Sequence, residues 1–203
     1  MSEIKKRIGA ISPKHLAMFT ASIASRFESL VIMISPVALQ QAYVKSVEMC
    51  WNRVLEGKEI PDRSAYQAAE KSIQDACDSI ERKVDIASRY SIRMAGLAFY
   101  AVKSTESSVS IQNAHAASAL AMSICGGLDH ILQHGTKTSV IEWNQTPEVG
   151  PLKRLELEEQ ESSIRLFGSN SSLDLAELAN QIRSRAVVTG KRLPEIYRHA
   201  IQA

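Results

Sequence analysis

The sequence predicts an all-α protein: a single multi-helix bundle of about six helices followed by a two-helix C-terminal appendage. Three observations carry this. Apolar residues recur three and four positions apart along most of the chain, strand-type alternation is absent, and the six prolines, at 13, 36, 61, 147, 151 and 194, all fall at the edges of periodic segments. A chain of 203 residues that is 45% hydrophobic has enough apolar material for one core. The expected division is a bundle over 1–168, then a flexible joint and a short helical appendage over 169–203.

The first helix opens at Ser12-Pro13, an N-cap followed by a residue whose fixed φ suits the first turn, and places Leu16, Phe19, Ile23, Phe27, Leu30 and Ile34 inward. Ser35-Pro36 opens the second, with Tyr43, Val47, Trp51 and Val54 on its core face. The third runs from about Asp62 to Arg82 on Tyr66, Ala69, Ile73, Cys77 and Ile80. The fourth runs from about Asp85 to Lys103 on Tyr90, Met94, Leu97 and Ala101. A fifth, from about Ser107 to His134, is rich in Ala and contains Gly126-Gly127. Small side chains let neighbouring helices approach closely, so this is the expected central helix, with the glycine pair a point where it could kink. Residues 135–150 form the longest connection and carry Trp143. Pro151 opens the sixth helix, which reaches Phe167, and two shorter helices follow, about Leu173 to Val188 and Pro194 to Gln202. Gly57, Gly135, Gly168 and Gly190 each follow a periodic stretch, where a left-handed residue ends a helix.

Composition excludes several function classes. With 24 Lys and Arg against 22 Asp and Glu, the net charge of +2 supplies no broad field for nucleic acid. The C-terminal pair has a loose helix-turn-helix look, but its joint, Val187 to Leu193, is long for that motif, and the appendage offers only Arg183, Arg185, Lys191, Arg192 and Arg198 as cations. The longest apolar run in the first helix, Leu30 to Ile34, is far short of the roughly 20 residues a spanning helix needs, so no membrane segment is expected. Lys5, Lys6 and Arg7 resemble the charged start of a signal peptide, but the apolar stretch after them stops at Ser12-Pro13. Cys50, Cys77 and Cys125 are odd in number and widely spaced, which fits reduced thiols of a cytoplasmic protein.

No Gly-x-Ser-x-Gly elbow or dinucleotide fingerprint occurs, and Thr189-Gly190-Lys191 lacks the upstream glycine and preceding strand of a phosphate loop. No cofactor is expected. The most metal-like set is Asp129, His130 and His134, because imidazoles at i and i+4 share a helix face. A third ligand is not evident, so the expectation is no metal, the two histidines interacting instead with the carbonyls of the last turn. The sixth helix is more informative. Leu152, Leu155, Ile164, Leu166 and Phe167 share a broad face from whose middle Glu156, Gln160 and Ser163 project. Polar groups there must be paired or must line a cleft. Arg93, beside the apolar stripe of the fourth helix, is the cation proposed for Glu156, and a structural network and a ligand site both remain open.

The sixth helix, Pro151-Leu152-Lys153-Arg154-Leu155-Glu156-Leu157-Glu158-Glu159-Gln160 running on to Leu166, resembles the Pro-Leu, Glu and Gln pattern of the YjaG-like family, a group of uncharacterised all-helical bacterial proteins. The Ala-rich fifth helix after a paired fourth is similar to the same family, and the likeness spans about residues 13–168. It implies a bundle and no established reaction.

The expected function follows mostly by subtraction: a non-catalytic protein-binding module, most concretely an immunity or antitoxin-like protein occluding a partner toxin. Glu156, Gln160, Arg93 and Trp143 are the candidate binding residues, and no catalytic residue is assigned. The alternatives are a helical enzyme or small-ligand binder using Glu156, Gln160 and Arg93 in an interhelical cleft, and a self-associating protein packing through Trp143.

Overall fold

The computed structural model describes residues 3–56, 63–80, 85–105, 110–135, 149–169 and 174–202. Among these residues there are nine helices and no strand: α1 (Glu3–Gly9), α2 (Pro13–Ile34), α3 (Val37–Glu56), α4 (Arg63–Asp78), α5 (Ile86–Lys103), α6 (Ser110–His134), α7 (Pro151–Ser169), α8 (Leu175–Gly190) and α9 (Leu193–Gln202). The six expected bundle helices are α2 to α7, and the C-terminal pair is α8 and α9. Trp143 and Gly57 lie outside the described residues.

Helix α1 is the element that periodicity missed. It is only 7 residues long, too short for an apolar stripe to register, and is held by the fully buried Ile8 and by contacts with α6 and α7.

The central helix is α2, not the Ala-rich α6. It packs against α3, α5, α6, α7, α8 and α9, and its buried residues run almost unbroken from Leu16 to Phe27. Small polar residues make this all-round burial possible. Thr20, Ser22 and Ser25 turn their hydroxyls back onto the carbonyls of Leu16 and Ala17, Phe19 and Ala21, so none of these hydroxyls needs an outside acceptor. Two large neighbours on α3 then key onto the α2 backbone side: Trp51 Nε1 donates to Ser25 Oγ at 2.8 Å and Tyr43 Oη to the Ala24 carbonyl at 2.7 Å. Among the described residues, Pro13–Ile34 is the one helix long and apolar enough to cross a membrane by length and composition, and 72% of its apolar 18-residue window is buried inside the bundle. Its apolarity is accounted for by its neighbours. α6 runs unbroken through Gly126-Gly127, so the glycines act by close approach rather than by a break.

Boundaries follow local chemistry. Ser12 sits in extended conformation ahead of Pro13, although its hydroxyl makes no capping bond. Ser35 closes α2 by donating its N–H to Val31, and its hydroxyl meets Ser91 of α5 at 2.9 Å. Asp85 caps α5 by accepting from the Ser88 N–H at 2.8 Å. Gly135, at φ +69, ends α6 in the left-handed region.

The C-terminal pair docks on the bundle. Leu178, Ala179, Ile182, Leu193 and Tyr197 belong to the same core as α2, and Tyr197 meets Tyr90 of α5 edge to face at 6.1 Å. The joint between α8 and α9 is tighter than expected, because α8 stays helical to Gly190. That glycine is where α8 crosses α2: a methyl group there would sit 2.4 Å from the Arg26 carbonyl oxygen, which is backbone and cannot swing aside.

Gly190→Ala is therefore expected to lower stability by about 1–3 kcal/mol, the usual cost of overpacking, read as a lower urea midpoint. Gly168→Ala, where a methyl meets nothing within 4 Å, serves as control and should leave the midpoint unchanged or raise it. Equal effects from both would refute the close-crossing account.

Candidate functional site

Helix α7 lies across α6 and α2 and is fixed first at its N-terminus. Asp129 of α6 accepts from the backbone N–H groups of Leu152 and Lys153, both at 2.9 Å, through its two carboxylate oxygens. A helix start has unsatisfied N–H donors and a partial positive charge, so a carboxylate from another helix is a strong anchor. Gly150 precedes it because any side chain there would overlap the Asp129 carboxylate, whose Cγ lies 2.2 Å from where a Cβ would stand.

With α7 held in this way, its polar residues point inward. Glu156 is 4% exposed, Gln160 0%, and the cation that meets them is Arg26 of α2, itself 2% exposed. Arg26 Nε donates to Glu156 Oε2 at 2.7 Å and Nη2 to Oε1 at 2.6 Å, a bidentate pair. Gln160 Nε2 donates to Glu156 Oε1 at 2.8 Å, while its own Oε1 accepts from Ser118 of α6 at 2.6 Å. Three helices are thus joined by one hydrogen-bonded chain. Ser163 turns back to the Glu159 carbonyl at 3.0 Å.

This settles which of the expected residues meet. Glu156 and Gln160 do. Arg93 does not pair with Glu156: it is exposed on α5 and donates from Nη2 to Ser123 of α6 at 2.6 Å. Arg26 takes that role, and the sequence held a usable signal for it, since a cation between Ile23, Phe27 and Leu30 on a helix buried all round requires an anion. As built, Glu156 and Gln160 are out of reach of a solute unless helices separate. The nearby thiol of Cys125 is pushed well up by burial, with Glu156 adding to the shift, and Cys50 is pushed up to about 12 by burial. Neither is a poised nucleophile.

A second layer ties α8 down at the rim. Arg185 makes two bonds to Glu159, at 2.8 and 2.9 Å, and Arg183 pairs with Glu48 of α3. With Arg185 about half exposed, such pairs contribute at most about 1 kcal/mol each. Both arginines of α8 are nonetheless occupied, which leaves the C-terminal pair only Lys191, Arg192 and Arg198 for a nucleic acid. Beside Arg183, burial raises the Glu28 carboxyl above the ordinary range, Glu48 raises it further, and Arg183 partly opposes both.

His130 and His134 stand together at the end of α6, ring centroids 4.8 Å apart. Asp129, their sequence neighbour, faces the α7 backbone. Among the described residues no group of three or more His, Cys, Asp or Glu side chains is placed to hold a metal.

A concave surface lies elsewhere, between α3 and α4. It is an open groove of about 620 Å³, lined among others by Ala38, Gln41 and Lys45 of α3 and Ala68, Lys71 and Asp75 of α4. Sequence reasoning missed it because most of its lining is alanine and serine, which carry no chemical signature.

Comparison with known proteins adds a fold relationship. A solved structure described as a DUF416 family protein from Shewanella baltica OS155 superposes with a TM-score of 0.69 at 12% identity, covering 93% of this chain and 95% of that one. At that identity the likeness is one of fold. No family model and no curated protein matches the chain.

Two outcomes test the site. Glu156→Ala strands the Arg26 charge and should cost about 3–5 kcal/mol, whereas the double change Arg26→Leu with Glu156→Leu should recover much of the loss. A double variant no more stable than Glu156→Ala would contradict the account. Glu28→Gln should raise the melting temperature at pH 7. The native state resists ionising Glu28, so wild-type stability falls as pH rises through its elevated pKa. The difference between the proteins should close as pH drops below the ordinary carboxylate range, where both side chains are neutral.

Proposed function

We propose that the protein is a non-catalytic protein-binding module of the immunity or antitoxin kind, working in the cytoplasm and allied to the YjaG-like proteins, and that it receives a helix of its partner in the α3–α4 groove. The carrying observation is the groove itself. Alanines and serines line it together with Gln41 and Asp75, exposed Lys45 and Lys71 stand on its two sides, and it is open rather than closed around a small molecule. A helix fits such a surface by placing its apolar side against alanines while acidic residues at i, i+4 spacing meet the lysines. The walls are firmly set. Arg53 of α3 donates to Tyr66 of α4 at 3.3 Å with its guanidinium over the ring, and Lys103 of α5 pairs with Glu70 of α4 at 2.8 Å. A preformed groove avoids an ordering cost on binding.

The other support is that the acidic and amide side chains singled out in the sequence are used in holding helices together, and that the buried cysteines are unreactive. The bundle kept reduced in the cytoplasm needs no disulfide.

The test is co-expression with a toxic polypeptide encoded beside this chain. The wild-type protein should restore growth and bind with 1:1 stoichiometry, and the double reversal Lys45→Glu with Lys71→Glu should weaken binding at least tenfold with an unchanged melting temperature. Equal binding by the reversed protein would remove the groove from the interface, and failure of wild type to protect would remove the immunity reading.

A further inference from the structure

The run Lys5-Lys6-Arg7, which resembles the charged start of a signal peptide, is folded as part of α1, and α1 joins the core on one side only. Ile8 and Ile11 are buried and Ile4 is partly so, one helical turn before Ile8. At about 100° per residue, Lys5, Lys6 and Arg7 fan around the rest of the helix. Lys5 and Lys6 are exposed and Arg7 is half-buried. The helix rests on α6 and α7, where His115 Nε2 lies 3.1 Å from the Lys5 carbonyl oxygen. The N–H groups of Ala10 and Ile11 donate to the carbonyls of Arg7 and Ile8, so exposed Lys14, in the first turn of α2, follows within one tight turn.

Charge is segregated at this end of the chain. Residues 3–14 hold four cations and one carboxylate, an excess of +3 against a total of +2, so all other residues together come to −1. Elsewhere cations meet acids: Arg26 pairs with Glu156, Lys103 with Glu70, Arg183 with Glu48 and Arg185 with Glu159. Among the described residues, Lys5, Lys6, Arg7 and Lys14 have no such pair. The helix dipole favours Lys6 and Arg7 in the last turn of α1. It gives no reason for Lys5, and it opposes Lys14 at the start of α2.

We propose that α1 and the first turn of α2 form a docking surface for the anionic face of a lipid bilayer, contacted peripherally by Lys5, Lys6, Arg7 and Lys14. A basic cluster on an amphipathic helix is the form that recognises anionic headgroups. Cations that fan outward match an extended sheet of negative charge better than a single small anion. A nucleic acid fits less well, because α1 carries no aromatic side chain and the His15 ring next to Lys14 is already stacked on Phe167 at 4.8 Å, which leaves no platform for bases. The isoleucines stay in the core, so the contact is electrostatic and reversible. It uses neither α3 nor α4 and stands apart from the groove between them.

Co-sedimentation of the full chain with sucrose-loaded vesicles tests this. In moderate salt the protein should pellet with phosphatidylglycerol vesicles, stay in the supernatant with pure phosphatidylcholine vesicles, and be released by further sodium chloride. The double change Lys5→Glu with Lys14→Glu should lower the partition coefficient at least about tenfold. Its melting temperature should be unchanged or raised, since both side chains are exposed and each carboxylate falls in a first helical turn. Lys45→Glu with Lys71→Glu alters net charge equally on α3 and α4, and vesicle binding should stay within about twofold of wild type, because charges off the contact face are screened. Equal losses from the two reversals would mean that overall charge governs binding and would overturn the proposal. Failure to pellet with anionic vesicles would do the same, as would displacement from them by polyuridylate at equal charge concentration, which would assign the surface to nucleic acid.

Discussion

A guanidinium at the centre of an apolar helix constrains everything packed around it. Arg26 lies midway along α2, the helix enclosed on all sides, and an unpaired charge there would cost several kcal/mol after relaxation. Glu156 neutralises it with two short bonds, and Gln160 and Ser118 satisfy the remaining carboxylate and amide groups. The arrangement is demanding in geometry, because a bidentate pair tolerates little rotation of either helix. It thereby sets the azimuth of α7 relative to α2, which purely apolar packing would leave less specific.

The rest of the architecture is arranged to make that pairing dry. Asp129 sets the start of α7 so that Glu156 arrives at the right height, and Gly150 gives the carboxylate room to do so. α8 covers the network from outside, with Gly190 admitting it to contact with the Arg26 backbone and Arg185 linking it to Glu159 one turn beyond Glu156. The C-terminal pair is thus part of the shell around the buried charge. Its apolar residues carry the docking energy and its arginines fix the register, since exposed ion pairs specify position more than they stabilise.

The concave surface proposed above to receive a partner lies away from this network. In the α3–α4 groove small side chains line the walls, and Lys45 and Lys71 stand exposed beside them. Charged side chains at the rim of a surface of this kind govern encounter and discrimination, while small side chains allow close contact.

Helix order and type were legible in the amino-acid string, because period and punctuation are local: Ser12-Pro13, Ser35-Pro36, Asp85 and Gly135 sit at helix ends as read. So was the anomaly on α7, since Glu156 and Gln160 on an apolar face announce a need for partners. Which partners was decided only in three dimensions. Arg26 and Glu156 are 130 residues apart, and Arg93, nearer in the chain, stands on α5, which packs on α2, α3, α4 and α6 rather than on α7. Which helices adjoin, and which face each presents, is set by packing of all faces at once. The same reason explains why α2 rather than α6 became the centre. Small residues permit close approach on either helix, but the middle of α2 is apolar or self-satisfied on every side except for Arg26, whose charge is neutralised by α7, so that stretch is enclosed.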